Sequence, residues 1–184
     1  MAVILFITLG LLPSFGWLIF YLREDLRHPE PKKLIFYTFL AGAFSTVFVL
    51  QIQLLLDNWS RYYLIPYSFW SLFILAAVEE VFKFGAAYLA VGRRKELNEP
   101  VDAMIYMIVA ALGFSAVENI ASLFKAVDGF AAVGPVETIT LRFIGATLLH
   151  TLASGLIGYY WGKAIVKKGS YFELIGLSLI LATL

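Results

Sequence analysis

The 184-residue sequence has no cysteine and few charged residues. The missing thiols exclude disulfides, cysteine-ligated zinc, iron–sulfur clusters and thiol catalysis. Only 15% of the residues are charged and 61% are hydrophobic, whereas soluble domains average about 25% charged and about 45–50% apolar residues. A net charge of +1 provides no basic surface for nucleic acid. The composition therefore indicates an integral membrane protein.

The apolar segments predict an all-α, polytopic transmembrane helix bundle that forms one integral-membrane domain over residues 1–184. A bilayer core about 30 Å thick requires roughly 20 residues of helix. Five segments reach this length: Ala2–Leu22, Leu34–Leu56, Phe69–Val91, Asp102–Lys125 and Thr138–Lys163. A sixth apolar segment begins near Tyr171 and reaches the end of the chain after 14 residues, about 21 Å of helix, which is too short to cross. This segment is therefore predicted to be truncated, and C-terminal helices are expected to be missing. The first segment lacks the basic start and the cleavage site of a signal peptide and is predicted to be an anchor.

The basic residues are unevenly distributed over the predicted loops. Ten of them lie in the first, third and fifth loops: Arg23, Arg27, Lys32, Lys33, Arg93, Arg94, Lys95, Lys163, Lys167 and Lys168. The second and fourth loops, with their flanks, contain only Arg61, Lys125 and Arg142. Because short basic loops remain in the cytoplasm, this pattern predicts a multi-pass protein of the cell membrane with its N-terminus outside.

Charged and polar side chains also lie inside the predicted spans, where an unpaired Asp, Lys or Arg costs roughly 2.5–3.5 kcal/mol. Six such residues occur on three helices: Glu79, Glu80, Lys83, Glu118, Asn119 and His150. At about 1.5 Å per residue, Glu80 and His150 lie roughly 20 Å from the cytoplasmic ends of their spans, and Glu118 lies roughly 24 Å from its own. Three helices thus bring these groups to one depth, which favours a shared functional site over an isolated structural ion pair.

This set of side chains suits hydrolysis of an amide by water. Lys83 neutralises only part of the adjacent carboxylate pair, so the other carboxylate can act as a general base. His150 and Asn119 can donate hydrogen bonds to a developing oxyanion. The glutamates and His150 can instead hold a divalent metal, such as zinc, that activates the water. Both schemes stay open at this stage.

Three motifs resemble those of the PrsW family of intramembrane proteases. The sequence E-E-V-F-K at residues 79–83 is similar to the family's E-E-x-x-K motif. Residues 102–119 are similar to a family helix that starts at Asp and reaches Gly-Phe-x-x-x-Glu-Asn. Residues 142–159, with an arginine eight residues before a histidine, are similar to the third motif. The resemblance extends over about residues 21–162 and is broadly shared with the CAAX-processing endopeptidases.

The resemblance implies an intramembrane endopeptidase that cuts a membrane-tethered protein near the outer face of the bilayer, which in the best-known member is an anti-sigma factor. It implies a catalytic core over about residues 69–162. It also implies that four residues are catalytic or bind metal: Glu79, Glu80, Glu118 and His150. Three further residues would support them: Lys83, Asn119 and Arg142.

Two other functions stay open beside the protease. Intramembrane Glu, Lys and His also form proton relays, so a proton- or cation-coupled transporter is one alternative. Transporters typically show internal repeats or broken helices at corresponding places, and the sequence shows neither clearly. The second alternative is a catalytically silent scaffold that uses the same pocket to bind another membrane protein.

Overall fold

The computed structural model describes residues 2–24, 29–63, 68–129, 133–167 and 171–183. Its elements are α1 (Ala2–Glu24), α2 (Lys32–Tyr63), α3 (Phe69–Val91), α4 (Pro100–Val127), α5 (Pro135–Leu141), a π-helical turn (Arg142–Ala146), α6 (Thr147–Lys167) and α7 (Tyr171–Thr183). No strand occurs in these ranges, so the predicted all-α class is confirmed. Arg27 and Lys168, which contribute to the predicted orientation, lie outside the described residues.

Four helical segments of the described ranges are long and apolar enough to cross a membrane: Val3–Arg23, Lys32–Leu56, Pro100–Val127 and Pro135–Val166. Helix α3 has 23 residues, about 34 Å at 1.5 Å per residue, but its three charged residues keep it out of this apolar group. Its assignment as a fifth full span therefore stays a prediction. Helix α7 begins where the sixth segment was predicted and has 13 residues, and its assignment as a truncated sixth span likewise stays a prediction.

Helix α4 is the centre of the bundle. Of its apolar window, 78% is buried, against 17, 22 and 33% for the other three candidate spans. Glycines allow the neighbouring backbones to approach closely: a Cβ on Gly42 of α2 would lie 2.0 Å from the carbonyl oxygen of Ala110, and one on Gly158 of α6 would lie 2.5 Å from the Cα of Met104. Such close packing fixes α2 and α6 relative to α4.

The start of α4 differs slightly from its predicted position. The helix begins at Pro100 instead of Asp102, because proline is well tolerated at the first helical position, where its missing N–H needs no partner. The buried Asp102 carboxylate accepts hydrogen bonds from the backbone N–H groups of Asn98, at 2.9 Å, and Glu99, at 2.7 Å. Asp102 therefore caps the helix from inside its first turn.

The predicted fifth span contains a π-helical turn that was not expected. The N–H of Thr147 donates to the carbonyl of Arg142, five residues earlier, so the turn holds one extra residue. In a regular α-helix, at about 100° per residue, a separation of eight residues would turn Arg142 about 80° away from His150. The extra residue reduces this difference to about 20°. The π-helical turn thus places Arg142 and His150 on one face.

Helix α1 binds this turn from the side. The indole N–H of Trp17 donates to the carbonyl of Phe143 at 2.9 Å. The two rings also stack, with their centroids 5.6 Å apart. An interrupted helical hydrogen-bond pattern leaves carbonyls in need of donors, so Trp17 is well placed to stabilise the π-helical turn.

Deletion of Gly145 should convert the π-helical turn into regular α-helix and rotate Phe143 away from Trp17. The deletion removes no packing contact, because Gly145 is exposed and a Cβ there would meet nothing within 4 Å. Since the chain has no cysteine, Gly16→Cys combined with Phe143→Cys reports on this contact by crosslinking with a short bifunctional thiol reagent. A Cβ on Gly16 would lie 3.0 Å from Cε2 of the Phe143 ring, and this pair keeps the Trp17 indole. We expect efficient crosslinking at the native chain length and a several-fold lower yield after the deletion.

The matched control is Gly145→Ala, which keeps the length of the turn. It should crosslink as efficiently as the parent pair. Equal crosslinking after the deletion would show that the extra residue does not set the orientation of this segment.

Candidate active site

Helix α3 presents two carboxylates and an ammonium group on one side. Glu79 and Glu80 precede Lys83 by four and three residues, spacings that bring side chains together on a helix. The Lys83 side chain is fully buried, and its Nζ lies 2.7 Å from Glu80 Oε1 and 3.5 Å from Glu79 Oε2. Nζ also lies 4.5 Å from the centroid of the Phe114 ring. The buried positive charge is therefore surrounded by two carboxylates and an aromatic face.

The two adjacent glutamates have different surroundings. Glu80 is 4% exposed; its Oε1 accepts from Lys83 at 2.7 Å and its Oε2 accepts from the Ser154 hydroxyl at 2.7 Å. The Glu79 side chain is 16% exposed, and its Oε1 accepts from the Gln53 amide at 2.9 Å. Glu80 is thus enclosed by protein partners, whereas Glu79 remains partly accessible.

His150 of α6 connects the groups on α3 to those on α4. Its Nδ1 lies 2.8 Å from Lys83 Nζ, and its Nε2 lies 3.0 Å from Glu118 Oε2. Because an ammonium group can only donate, Nδ1 accepts the hydrogen bond from Lys83, and the proton on Nε2 points to the carboxylate. The imidazole therefore links the buried ammonium to Glu118.

Arg142 holds two consecutive residues of α4. Its Nη2 donates to Glu118 Oε2 at 3.1 Å, and its Nε donates to Asn119 Oδ1. Asn119 is fully buried, and its Nδ2 donates to Thr147 Oγ1 at 3.2 Å. Glu118 Oε2 consequently receives donors from both Arg142 and His150, which fixes the position of this carboxylate.

The structure brings all seven predicted site residues into one connected cluster. Within it, one possible metal-binding atom from each of Glu79, Glu118 and His150 lies within 4.8 Å of the other two. Two carboxylates and one imidazole suit zinc, and three protein ligands leave a position for water, as catalytic zinc sites require. Glu80, which the sequence also suggested as a metal ligand, is not part of this set. Lys83 and Ser154 engage both of its oxygens.

Contacts in the cluster also involve residues outside the predicted site set. Thr147 and Ser154 flank His150 on α6 at helical spacings of three and four residues, and this spacing is a usable signal in the sequence. Sequence reasoning missed Gln53. The signal that could have found it is an amide side chain within the apolar part of the second span, where polar side chains need partners.

Residues 30–184 match the sequence profile of the PrsW family intramembrane metalloproteases. Three curated relatives, each named Protease PrsW, are similar over most of the chain. The Geobacillus kaustophilus protein is 30% identical over 169 residues, which cover 90% of this chain and 70% of the relative. The Oceanobacillus iheyensis protein is 28% identical, with 86% and 68% covered. The Halalkalibacterium halodurans protein is 26% identical, with 97% and 78% covered.

No solved structure matches the chain significantly. The profile match includes every residue of the cluster, and the relatives named above are proteases. These comparisons support the protease expected from the three motifs and give no support to the transporter or to the silent scaffold. The chain belongs to the PrsW family of intramembrane metalloproteases.

Proposed function

We propose that Glu79, Glu118 and His150 hold a divalent metal, with zinc the best match, and that the protein uses it to hydrolyse a peptide bond of a membrane-tethered protein. The observation that supports this proposal is that three possible metal-binding atoms, one from each of three helices, lie within 4.8 Å of one another. When bound, such a metal polarises a carbonyl group and lowers the pKa of water. The three side chains are 16–19% exposed, so they are accessible from outside the protein.

The residues around the proposed ligands orient them. For His150 to bind a metal through Nε2, its proton must lie on Nδ1, so Lys83 would then bond to the carboxylates alone. Lys83 lies 3.5 Å from the Glu79 carboxylate, and Arg142 donates to the Glu118 carboxylate. Partners of this kind fix the direction of a metal ligand and tune its basicity. Glu80 in turn holds Lys83 in place. We therefore assign Glu80 a positioning role and keep the metal-binding role for the other two glutamates.

Arg142 is also placed to stabilise negative charge on the substrate. Its bonds to Glu118 and Asn119 use two of the five N–H donors of a guanidinium group. Its side chain is 19% exposed, so the other donors can reach a carbonyl oxygen of the substrate. Donors prearranged at the position where an oxyanion develops are a major source of rate enhancement in acyl transfer.

Metal content and cleavage, measured on the same reconstituted preparations with a membrane-anchored peptide substrate, test the proposed site. Glu79→Gln, Glu118→Gln and His150→Ala should each lose bound zinc and lower the cleavage rate at least about 10²-fold, since both the metal and acid–base groups act in the chemical step. Glu137→Gln, which changes an exposed carboxylate of α5, is the matched control and should keep both properties.

Two results would contradict this proposal. Full activity of a metal-free preparation would contradict the metal-dependent reaction and support water activated by a glutamate alone. Unchanged zinc content in all three variants would show that the metal lies elsewhere.

We also propose that the N-terminus is outside and that cleavage occurs near the outer face of the bilayer, in a substrate similar to an anti-sigma factor. Counting from Lys125 to Glu118 and from Arg142 to His150 gives a depth of about 10–15 Å beneath the outer boundary. The unequal distribution of basic residues over the loops supports this orientation.

Fusions of alkaline phosphatase, which is active only outside the cytoplasm, test the orientation. A fusion after Lys168 should be inactive, whereas one in the loop between α4 and α5, after Gly129, should be active. The reverse pattern would place the site near the cytoplasmic face and contradict the proposed position of cleavage.

A further inference from the structure

We propose that Gln53 of α2 is a positioning residue that aims the Glu79 carboxylate at the metal site. This inference rests on the proposed function. Gln53 lies in an apolar span with a mean hydropathy of 1.9, where an amide without a partner is costly. Its Nε2 donates to Glu79 Oε1 at 2.9 Å, across the boundary between α2 and α3.

This hydrogen bond gives the two carboxylate oxygens of Glu79 different surroundings. Oε1 is engaged by Gln53, whereas Oε2 lies 3.9 Å from His150 Nδ1 and 3.5 Å from Lys83 Nζ. The terminal torsion of a glutamate is broad and weakly restrained on its own. An amide that binds Oε1 therefore selects the rotation that keeps Oε2 directed towards His150.

The helix that carries Gln53 is rigidly attached to the helix that carries Glu118. A Cβ added to Gly113 of α4 would lie 2.0 Å from the carbonyl oxygen of Phe39 on α2. The Thr46 hydroxyl of α2 lies 3.3 Å from the carbonyl oxygen of Phe114 on α4 and donates to it. Because α2 and α4 are in backbone contact, the amide on α2 can hold Glu79 at a fixed distance from the ligand on α4.

The amide acts without adding charge. Lys83 and Arg142 carry positive charges that change both the orientation of the carboxylates and the electrostatic attraction of a metal ion. Gln53 is neutral, so its removal changes orientation alone. This difference allows a specific test, because Gln53→Met keeps a similar length in an apolar surrounding and removes the amide without changing the charge.

Zinc affinity of the purified protein, measured by competition with a chelator, tests the inference. Gln53→Met should weaken zinc binding about 10–100-fold, the usual effect of losing a hydrogen bond to a metal ligand. The thermal stability of the metal-free protein should change little. Gln51→Met alters an exposed glutamine two residues earlier on the same helix and should leave zinc affinity unchanged.

A double variant separates positioning from general packing. In the Glu79→Asp background, where the shorter carboxylate keeps a weakened metal ligand but no longer reaches Gln53, adding Gln53→Met should cause no further loss of zinc affinity, because the two residues act through one contact. If the methionine variant does not fold, Gln53→Asn provides the same test, since its amide is one methylene shorter and falls short of Glu79.

The outcomes distinguish this inference from the proposal beneath it. Unchanged zinc affinity in folded Gln53→Met, in a protein whose zinc binding depends on Glu79, would overturn the role of Gln53 and leave the metal site intact. Additive losses in the double variant would also overturn it. Wild-type zinc binding that is insensitive to Glu79→Gln would overturn the proposed metal site itself, and the inference with it.

Discussion

The buried ammonium group of Lys83 is the interaction on which the rest of the site depends. Moving a charge from water into a protein interior costs several kcal/mol after relaxation unless close partners compensate for it. Lys83 has three such partners within 3.5 Å, namely Glu79, Glu80 and His150. Each partner also bonds to another residue. The contacts that compensate for this one charge therefore connect side chains from α2, α3, α4 and α6.

The bundle supplies the rigidity that this order needs. Close approach at Gly42 and Gly158 fixes α2 and α6 against α4, and the π-helical turn brings Arg142 onto the face of His150. Side chains on packed helices have less freedom than side chains on loops, so a site made only from helices can be held close to one geometry. The tightly packed helices therefore hold the three proposed metal ligands in place while the side chains of these ligands stay partly exposed.

The sequence predicts much of this arrangement, because charges in an apolar span have few alternatives. Glu80, Glu118 and His150 fall at similar distances from their helix ends, which is enough to predict a common layer. The sequence does not predict the π-helical turn, because a regular helix is the default and Trp17, which binds that turn, lies more than a hundred residues earlier. The contact of Gln53 with Glu79 depends on the packing of α2 against α3, which hydropathy alone does not specify.

The central claim is that Glu79, Glu118 and His150 form one metal site, and X-ray absorption at the zinc edge tests it most directly. With one equivalent of zinc bound, the account predicts a shell of oxygen and nitrogen at about 2.0–2.2 Å. It also predicts an imidazole scattering signal that disappears in His150→Ala. A wild-type spectrum without imidazole, or a signal that persists in His150→Ala, would contradict the account.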